Sequence, residues 1–441
     1  MSAASRAGVA PAFLMALLSA CSAHTAGPVQ ITLQRFFGAC DAQYAGSTNV
    51  AAAQGECGII TTLVNRFNAQ NPDVHVKVNI VYWPGYDQLS AELAAGDPPD
   101  LVTLHQSVIS DYSQRHLIVP LDAGLRAVGV EPASFTPAAR RGVMRGGHIF
   151  ALPFDTWAPL WHINLRLFRT AGLVANGAPV LPHSADELLA QARQFARATG
   201  KPYLVQSMVN EPSAYARNLF TLLMQQNSDF FADPRHITLQ TPEARRALEL
   251  FARIYAEGLT TKHQDYTAAT AGFLSGQGGV YIVGTWMIDT YDDAAAHPGS
   301  PLSGGYTVVP FPQLYPGRDV TYADGHSWAV PTKQRTPAQL RAVFRLLRFL
   351  TDNDFEWSRT GHLPAFQAVI DSARWRALPH RAALAKLVDI AAPLPTGVQR
   401  QFLLQQIISE EMQAAITGQK PIDAALADAE HRVNDLLFNL L

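Results

Sequence analysis

Strand and helix signals alternate through the first hundred residues, and that cadence restricts the fold more than composition does. Residues 31–37 alternate and read as a strand. Residues 58–70 have helical spacing, with Ile59, Ile60, Leu63, Val64 and Phe67 on one face, and Asn71-Pro72 stops them. Residues 74–81 show period two, 87–95 read as a helix, 96–99 as a loop and 100–104 as a buried strand. Strand–helix–strand–helix–strand implies a sheet built from βαβ units.

A second segment carries more detail. Residues 271–287 read as a helix end, a glycine turn, a short buried strand and a tryptophan. Gly276, Gly278 and Gly279 are expected to break the helix and supply the positive φ angles of a tight turn. Val280 to Val283 form an apolar β-prone run, as in a strand covered on both faces. Gly284 is expected to let another group approach the backbone. Trp286 then emerges beyond the strand's carboxyl end, where open α/β sheets bind ligands. Read alone, Trp286 is equally a core residue, since tryptophan is mostly buried.

The remaining chain continues in both styles. Strands are expected at 147–154, 156–164, 306–311 and the strand end at 328–331. Helices are expected at 165–171, 184–199 (Ser184 capping, with Glu187 at the capping-box position), 215–226 and 241–257. An amphipathic helix is expected at 337–351, with Leu340, Val343, Phe344, Leu347 and Leu350 along one side. The last third is mostly helical.

The N-terminus reads as an export signal. Arg6 precedes the apolar run 9–20, which is shorter than the roughly 20 residues a membrane span needs. The run ends Leu18-Ser19-Ala20-Cys21, which resembles a bacterial lipobox with Cys21 as the acylated first residue of the mature protein. Residues 21–29 would then be a linker. Ordinary cleavage after Ala23 or Ala26 is the alternative. The chain has three cysteines, so with Cys21 lipidated one pair remains, Cys40 and Cys57, 17 positions apart. In an oxidising compartment that pair is expected as a disulfide.

Composition bounds the function. The chain has 441 residues, 48% of them hydrophobic and 16% charged, which supports two domains and excludes disorder. A net charge of −2 argues against a nucleic-acid footprint. After processing no second long apolar span is expected. The 14 histidines are scattered singly, so no metal or cofactor is expected, although His105 and His326 were the pair to weigh. No GxSxG elbow, HExxH motif or phosphate loop is present.

Six signposts in order carry a resemblance. They are Phe67-Asn-Ala-Gln-Asn-Pro-Asp-Val74, Gly96-Asp-Pro-Pro-Asp-Leu-Val102, His116-Leu-Ile-Val-Pro-Leu-Asp122, Gly147-His-Ile-Phe-Ala-Leu-Pro153, Asn164-Leu-Arg-Leu-Phe-Arg-Thr-Ala-Gly-Leu173 and Thr360-Gly-His-Leu-Pro-Ala365. Together with residues 271–287 they resemble the family 1 extracellular solute-binding proteins of ABC importers, the maltose-binding-like group. The resemblance covers nearly the whole mature chain. It implies an α/β, two-lobed type II periplasmic-binding-protein fold, each lobe a mostly parallel sheet flanked by helices, with ligand held between the lobes. By that analogy the first lobe is 30–152 plus 308–331 and the second is 153–305 plus 335–441. Hinges fall near 152–155 and 306–310.

The same resemblance implies a monomer held in the periplasm through Cys21, or soluble there. It would capture a sugar and hand it to permease subunits in the inner membrane, with no enzymatic activity. A sugar cleft needs flat aromatic faces and a few directed polar groups. The expected ligand-binding set is Phe37, Trp83, Tyr86, His105, Gln106, Asp155, Trp157, Asn210, Tyr215, Trp286, Asp324, Gly325, His326 and Trp328. A phosphorylated polyol or other anion is the alternative ligand, with Arg35 and Arg400 as candidate contacts. A secreted carbohydrate-active enzyme would need two carboxylates, for which Asp155 and Asp324 are the candidate pair.

Overall fold

The first expected strand forms at Val29–Arg35 in a computed structural model that describes Met1 and residues 27–210 and 213–439. The expected export signal and Cys21 lie outside those residues. Val29–Arg35 pairs in parallel with Val74–Ile80 on one side and Leu101–His105 on the other. His326–Ala329 and then Leu152–Pro153 complete a five-stranded sheet, both running antiparallel to their neighbours. All five residues of Leu101–His105 are buried, as its interior position requires. Asp100 sets the register at its start, accepting from the backbone and hydroxyl of Thr32 and pairing with Lys333 and Arg335.

The helix Gly55–Gln70 covers this sheet through Ile59, Ile60, Leu63, Val64 and Phe67, the face expected from their spacing. Its first turn is tied down by the Cys40–Cys57 disulfide, whose Cα atoms are 6.0 Å apart. Closing a 17-residue loop is worth about 3 kcal/mol in the chain-entropy model. A Cys40→Ser/Cys57→Ser double variant is therefore expected to be less stable by that amount and to unfold at a lower urea midpoint. An unchanged midpoint under oxidising conditions would show that the loop holds itself.

The second sheet has the order Leu204–Val205, Val280–Gly284, Pro159–Asn164, Tyr306–Pro310. Only its first pair is parallel. Both sheets are thus more mixed than expected, because the strands that carry the chain between lobes enter against the others. Around the second sheet pack Ala185–Thr199, Ala214–Gln225, Pro242–Ala256 and Tyr266–Leu274. Ser184 caps the first of these by accepting from the Glu187 amide, while the Glu187 carboxylate takes the His183 amide, one position before the expected partner. Of the three glycines after Leu274, only Gly276 has positive φ (69°). Gly278 and Gly279 serve close packing instead: an added Cβ would lie 2.7 Å from Val205 and 2.6 Å from the Phe195 ring.

Two expected boundaries move. Tyr306–Pro310, expected as a hinge and as the start of a first-lobe segment, pairs along its whole length with Pro159–Asn164 inside the second sheet. Phe311, Leu314 and Val320 then continue in the second-lobe core. The helix Pro337–Asp352, expected in the second lobe, belongs to the first. Its Val343, Leu346, Leu347 and Leu350 share a core with Leu33 and Phe67, because the helix follows directly on a first-lobe strand whose sheet needs covering. Leu340, expected on the buried side, is exposed.

The chain crosses between lobes three times, and the crossings lie side by side. The first runs from Pro153 to Pro159 through Asp155–Thr156. The second returns at 323–325, bridged antiparallel to the first at Trp157 and Asp324. The third follows the helix Asp354–Ser358, with Leu363–Pro364 antiparallel to Asp155–Thr156. Beyond it, Ile370, Trp375, Leu384 and Leu387 join a second-lobe core with Tyr281 and Val283.

Candidate functional site

A cavity of about 400 Å³ lies between the lobes, within the roughly 300–1,000 Å³ range of small-molecule sites. The first lobe lines it with Phe36, Phe37, Gly38, Glu56, Tyr82, Trp83, His105 and His326; the second with Trp157, Asn210, Arg217, Tyr266 and Trp286. The lobes also touch directly: the Gly55 amide donates to Asp289 at 2.8 Å, and the Trp83 and Phe402 rings are 5.2 Å apart.

Each wall has a local cause. Phe36 and Phe37 follow the carboxyl end of Val29–Arg35, and His105 ends Leu101–His105, so parallel strands deliver all three to one edge. Phe36 stacks on His105 with centroids 5.2 Å apart. Trp286 stands in the turn after Val280–Gly284. The group that approaches Gly284 is Trp286 itself: an added Cβ there would lie 1.9 Å from the indole. Trp286 packs edge-on against Trp157 at 5.5 Å, and its Nε1–H donates to Tyr266 Oη at 2.8 Å. The Arg217 guanidinium sits over the other part of Trp157, 4.6 Å from its centroid, with Nε held by Gln405.

Beneath this frame Asp155, fully buried, joins the three crossings. Its Oδ1 accepts from the His326 amide, and its Oδ2 accepts from His326 Nδ1 and Trp357 Nε1, each at 2.8 Å. Burial alone raises its pKa, but His326, His362 and these hydrogen bonds outweigh burial and hold the carboxyl well below its usual range. Burial lowers the His326 pKa, and the Asp155 carboxylate more than reverses it, leaving a net rise. His105 has no such partner; burial and the neighbouring His326 push it well down.

Seven expected site residues line the cavity: Phe37, Trp83, His105, Trp157, Asn210, Trp286 and His326. The other seven do not. Trp328, expected at the cleft, is wholly buried in the first-lobe core beside Phe37 and Phe154: it shares the face of His326 but lies two residues further along the strand, opposite Thr103 and away from the cleft end. Tyr215 faces the second-lobe core while Arg217, two positions on, faces the cavity. Tyr86 stands behind His105, hydrogen-bonded to its Nδ1. Gln106 donates to the Asp155 carbonyl, and Asp324 accepts from the Ser107 and Gly325 amides, so both brace the crossings. Gly325 lets this happen: an added Cβ would lie 2.3 Å from the Asp155 carbonyl.

Neither expected anion contact is in the cavity wall. Arg35 is buried, donating to Gly38 O and Thr61 Oγ1, and Arg400 precedes the helix Gln401–Ile416. The cation that does line it, Arg217, was missed, as were Phe36, Gly38, Glu56, Tyr82 and Tyr266. Glu56 carried one legible signal, its place beside Cys57; the helix that holds it starts at Gly55, three residues before the expected start. Glu56, His326 and His362 also come together, a grouping that no sequence spacing announces.

Comparison with known proteins agrees with this architecture. The sequence pattern of the bacterial extracellular solute-binding proteins matches residues 62–383. The sn-glycerol-3-phosphate-binding periplasmic protein UgpB of Escherichia coli K12 is 24% identical over 424 residues, covering 87% of this chain and 90% of that protein. Maltose-bound MalE3 of T. maritima superposes with a TM-score of 0.77 at 20% identity, over 94% of this chain and 100% of the other. A solute-binding protein of Thermotoga lettingae bound with α-D-tagatose gives 0.73 at 18% identity, over 93% of this chain and 100% of the other. The two-lobed fold is thus the type II binding-protein fold, and the chain belongs to the bacterial extracellular solute-binding protein family.

Proposed function

We propose that this protein captures a sugar in the inter-lobe cavity and delivers it to the permease of an ABC importer outside the cytoplasm. The observation that carries the reading is the aromatic frame contributed by both lobes: Phe36, Phe37, Tyr82 and Trp83 on one side, Trp157, Tyr266 and Trp286 on the other. Sugar C–H faces pack on such rings, while Glu56, His105, Asn210, Arg217 and His326 are placed to pair hydroxyls. The maltose- and tagatose-bound relatives support the ligand class. A binding rather than catalytic role is supported by Asp155 and Asp324. Both carboxylates are buried and occupied by the crossings, so they do not flank a bond as glycosidase chemistry requires. Membrane attachment through Cys21 and a monomeric state remain part of the proposal.

One observation favours a second ligand class. Arg217 in the wall, together with the glycerol-3-phosphate-binding relative, suits a phosphorylated polyol. A thermal-shift panel of mono- and oligosaccharides that includes glycerol 3-phosphate separates the two. Neutral sugars are expected to raise the midpoint and quench tryptophan fluorescence. Stabilisation by glycerol 3-phosphate alone, abolished in Arg217→Gln, would replace the sugar reading.

A further inference from the structure

Three side chains with metal-ligating chemistry converge at the edge of the cavity. Glu56, His326 and His362 each offer a donor atom within 4.8 Å of the other two, the one such trio among the described residues. They come from distant positions: Glu56 from the first turn of Gly55–Gln70, His326 from the start of the strand that follows the second crossing and His362 from the third crossing. Gly361 allows the last of these, since an added Cβ there would lie 2.0 Å from the Thr285 carbonyl.

The surroundings are those of a built site. His326 Nδ1 lies 2.8 Å from Asp155 Oδ2. A carboxylate only accepts, so Nδ1 carries a proton, and Nε2 is the nitrogen left to offer a lone pair to a metal. Carboxylate–imidazole pairs of this kind orient histidine ligands and raise their basicity. His362 is wholly buried and stacked on Trp357, with centroids 5.5 Å apart and planes 13° apart, so its ring is fixed. Its Nδ1 faces the Thr285 hydroxyl at 3.1 Å and its Nε2 faces Glu56 Oε1 at 2.9 Å. The hydroxyl both donates and accepts, so it tolerates either tautomer of the ring.

We propose that Glu56, His326 and His362 bind a divalent first-row transition metal ion of the zinc type beside the solute cavity. Two imidazoles and one carboxylate suit such an ion better than calcium or magnesium, which prefer oxygen donors. Glu56 beside the two rings, with Asp155 behind His326, is a donor set that suits a dication. Three protein ligands leave a fourth position for a water or a solute oxygen, the pattern of open zinc sites. Donors around tetrahedral zinc sit about 3.3 Å apart at Zn–N lengths of about 2.0–2.1 Å; His362 Nε2 and Glu56 Oε1 are already 2.9 Å apart, so the adjustment falls on their spacing to His326. Glu56, whose side chain is 27% exposed, has the freedom to make that move. On ligation through Nε2 the His362 ring proton lies on Nδ1, facing the Thr285 hydroxyl.

The test needs no sugar, so it stands apart from the ligand reading. The full protein is stripped with a chelator and titrated with Zn²⁺ against a chromophoric competitor, and in parallel with Co²⁺ to read ligand geometry in the visible spectrum. One tight site is expected, with affinity falling roughly 10–100-fold or more in Glu56→Gln and in His362→Gln. His380→Gln, whose ring pairs with Asp292 instead, is expected to bind as the parent does. Glu56→Gln is the deciding variant, because it keeps the shape at a partly exposed position even if His362→Gln fails to fold. Zn²⁺ bound with unchanged affinity by Glu56→Gln, or no site in the parent, overturns the proposal.

Discussion

Asp155→Ala is expected to destabilise the protein by about 3–5 kcal/mol, the usual consequence of removing one partner from a buried charge pair. The size follows from what the carboxylate holds. It sits on the first crossing and accepts from His326, directly after the second, and from Trp357, in the helix that leads into the third. Its loss leaves three donors without their acceptor in a region with little water to replace it. Asp155→Asn keeps the shape but forfeits the charge-assisted part of these bonds, so a smaller loss of about 1.5–3 kcal/mol is expected. Urea unfolding followed by far-UV circular dichroism measures both. A shift below about 1 kcal/mol in the alanine variant, smaller than an ordinary buried hydrogen bond, would show that backbone pairing alone holds the crossings.

Trp286→Ala is expected to weaken solute binding by about 30–1,000-fold, the range of a central aromatic anchor worth about 2–4 kcal/mol. The ring presents its exposed part to the cavity and rests its remainder on Trp157 and Tyr266. Because it also packs against two second-lobe cores, the solute-free protein should lose some stability too, roughly 1–2 kcal/mol against about 3–5 for a fully buried tryptophan. Gly284→Ala isolates the binding part. The added methyl would occupy the place of the indole, so this variant should bind like Trp286→Ala while retaining the tryptophan. Isothermal titration with a solute identified by the thermal-shift panel decides it. Undiminished affinity in both variants would mean that the solute lies elsewhere in the cavity.

These two residues mark how far the sequence could be read. The strand ending in Gly284-Thr285-Trp286 was legible because three local signals coincided: an apolar run, a permissive glycine and an aromatic at a strand's carboxyl end. Asp155 was legible as a cleft residue only by resemblance, and its real work depends on partners 171 and 202 positions away. Trp328 misled for a related reason. A tryptophan beside a strand end has no sequence mark to say how far from the cleft end of the sheet it sits, and here two residues beyond His326 are enough to place it in the core. Arg217 went unseen because its helix Ala214–Gln225 is buried along its whole length. Periodicity then gives no polar face to distinguish a core-facing Tyr215 from a cavity-facing Arg217. The helix Pro337–Asp352 was correct in extent and wrong in lobe, since an amphipathic stripe shows that a helix covers something without showing what.

The three crossings also have a consequence for the order in which the chain can take shape. The first lobe is closed by His326–Ala329 and Pro337–Asp352, and the second by Gln401–Ile416 and Ile422–Phe438, whose Val433 and Leu437 are core residues. A chain emerging from its N-terminus therefore completes neither lobe until about four-fifths of it has appeared, and the second only near the end. Until then Leu101–His105 lacks its partner His326–Ala329, and the first sheet lacks the cover of Pro337–Asp352. Such a chain stays threadable through a narrow channel for most of its length and becomes a closed, folded body late.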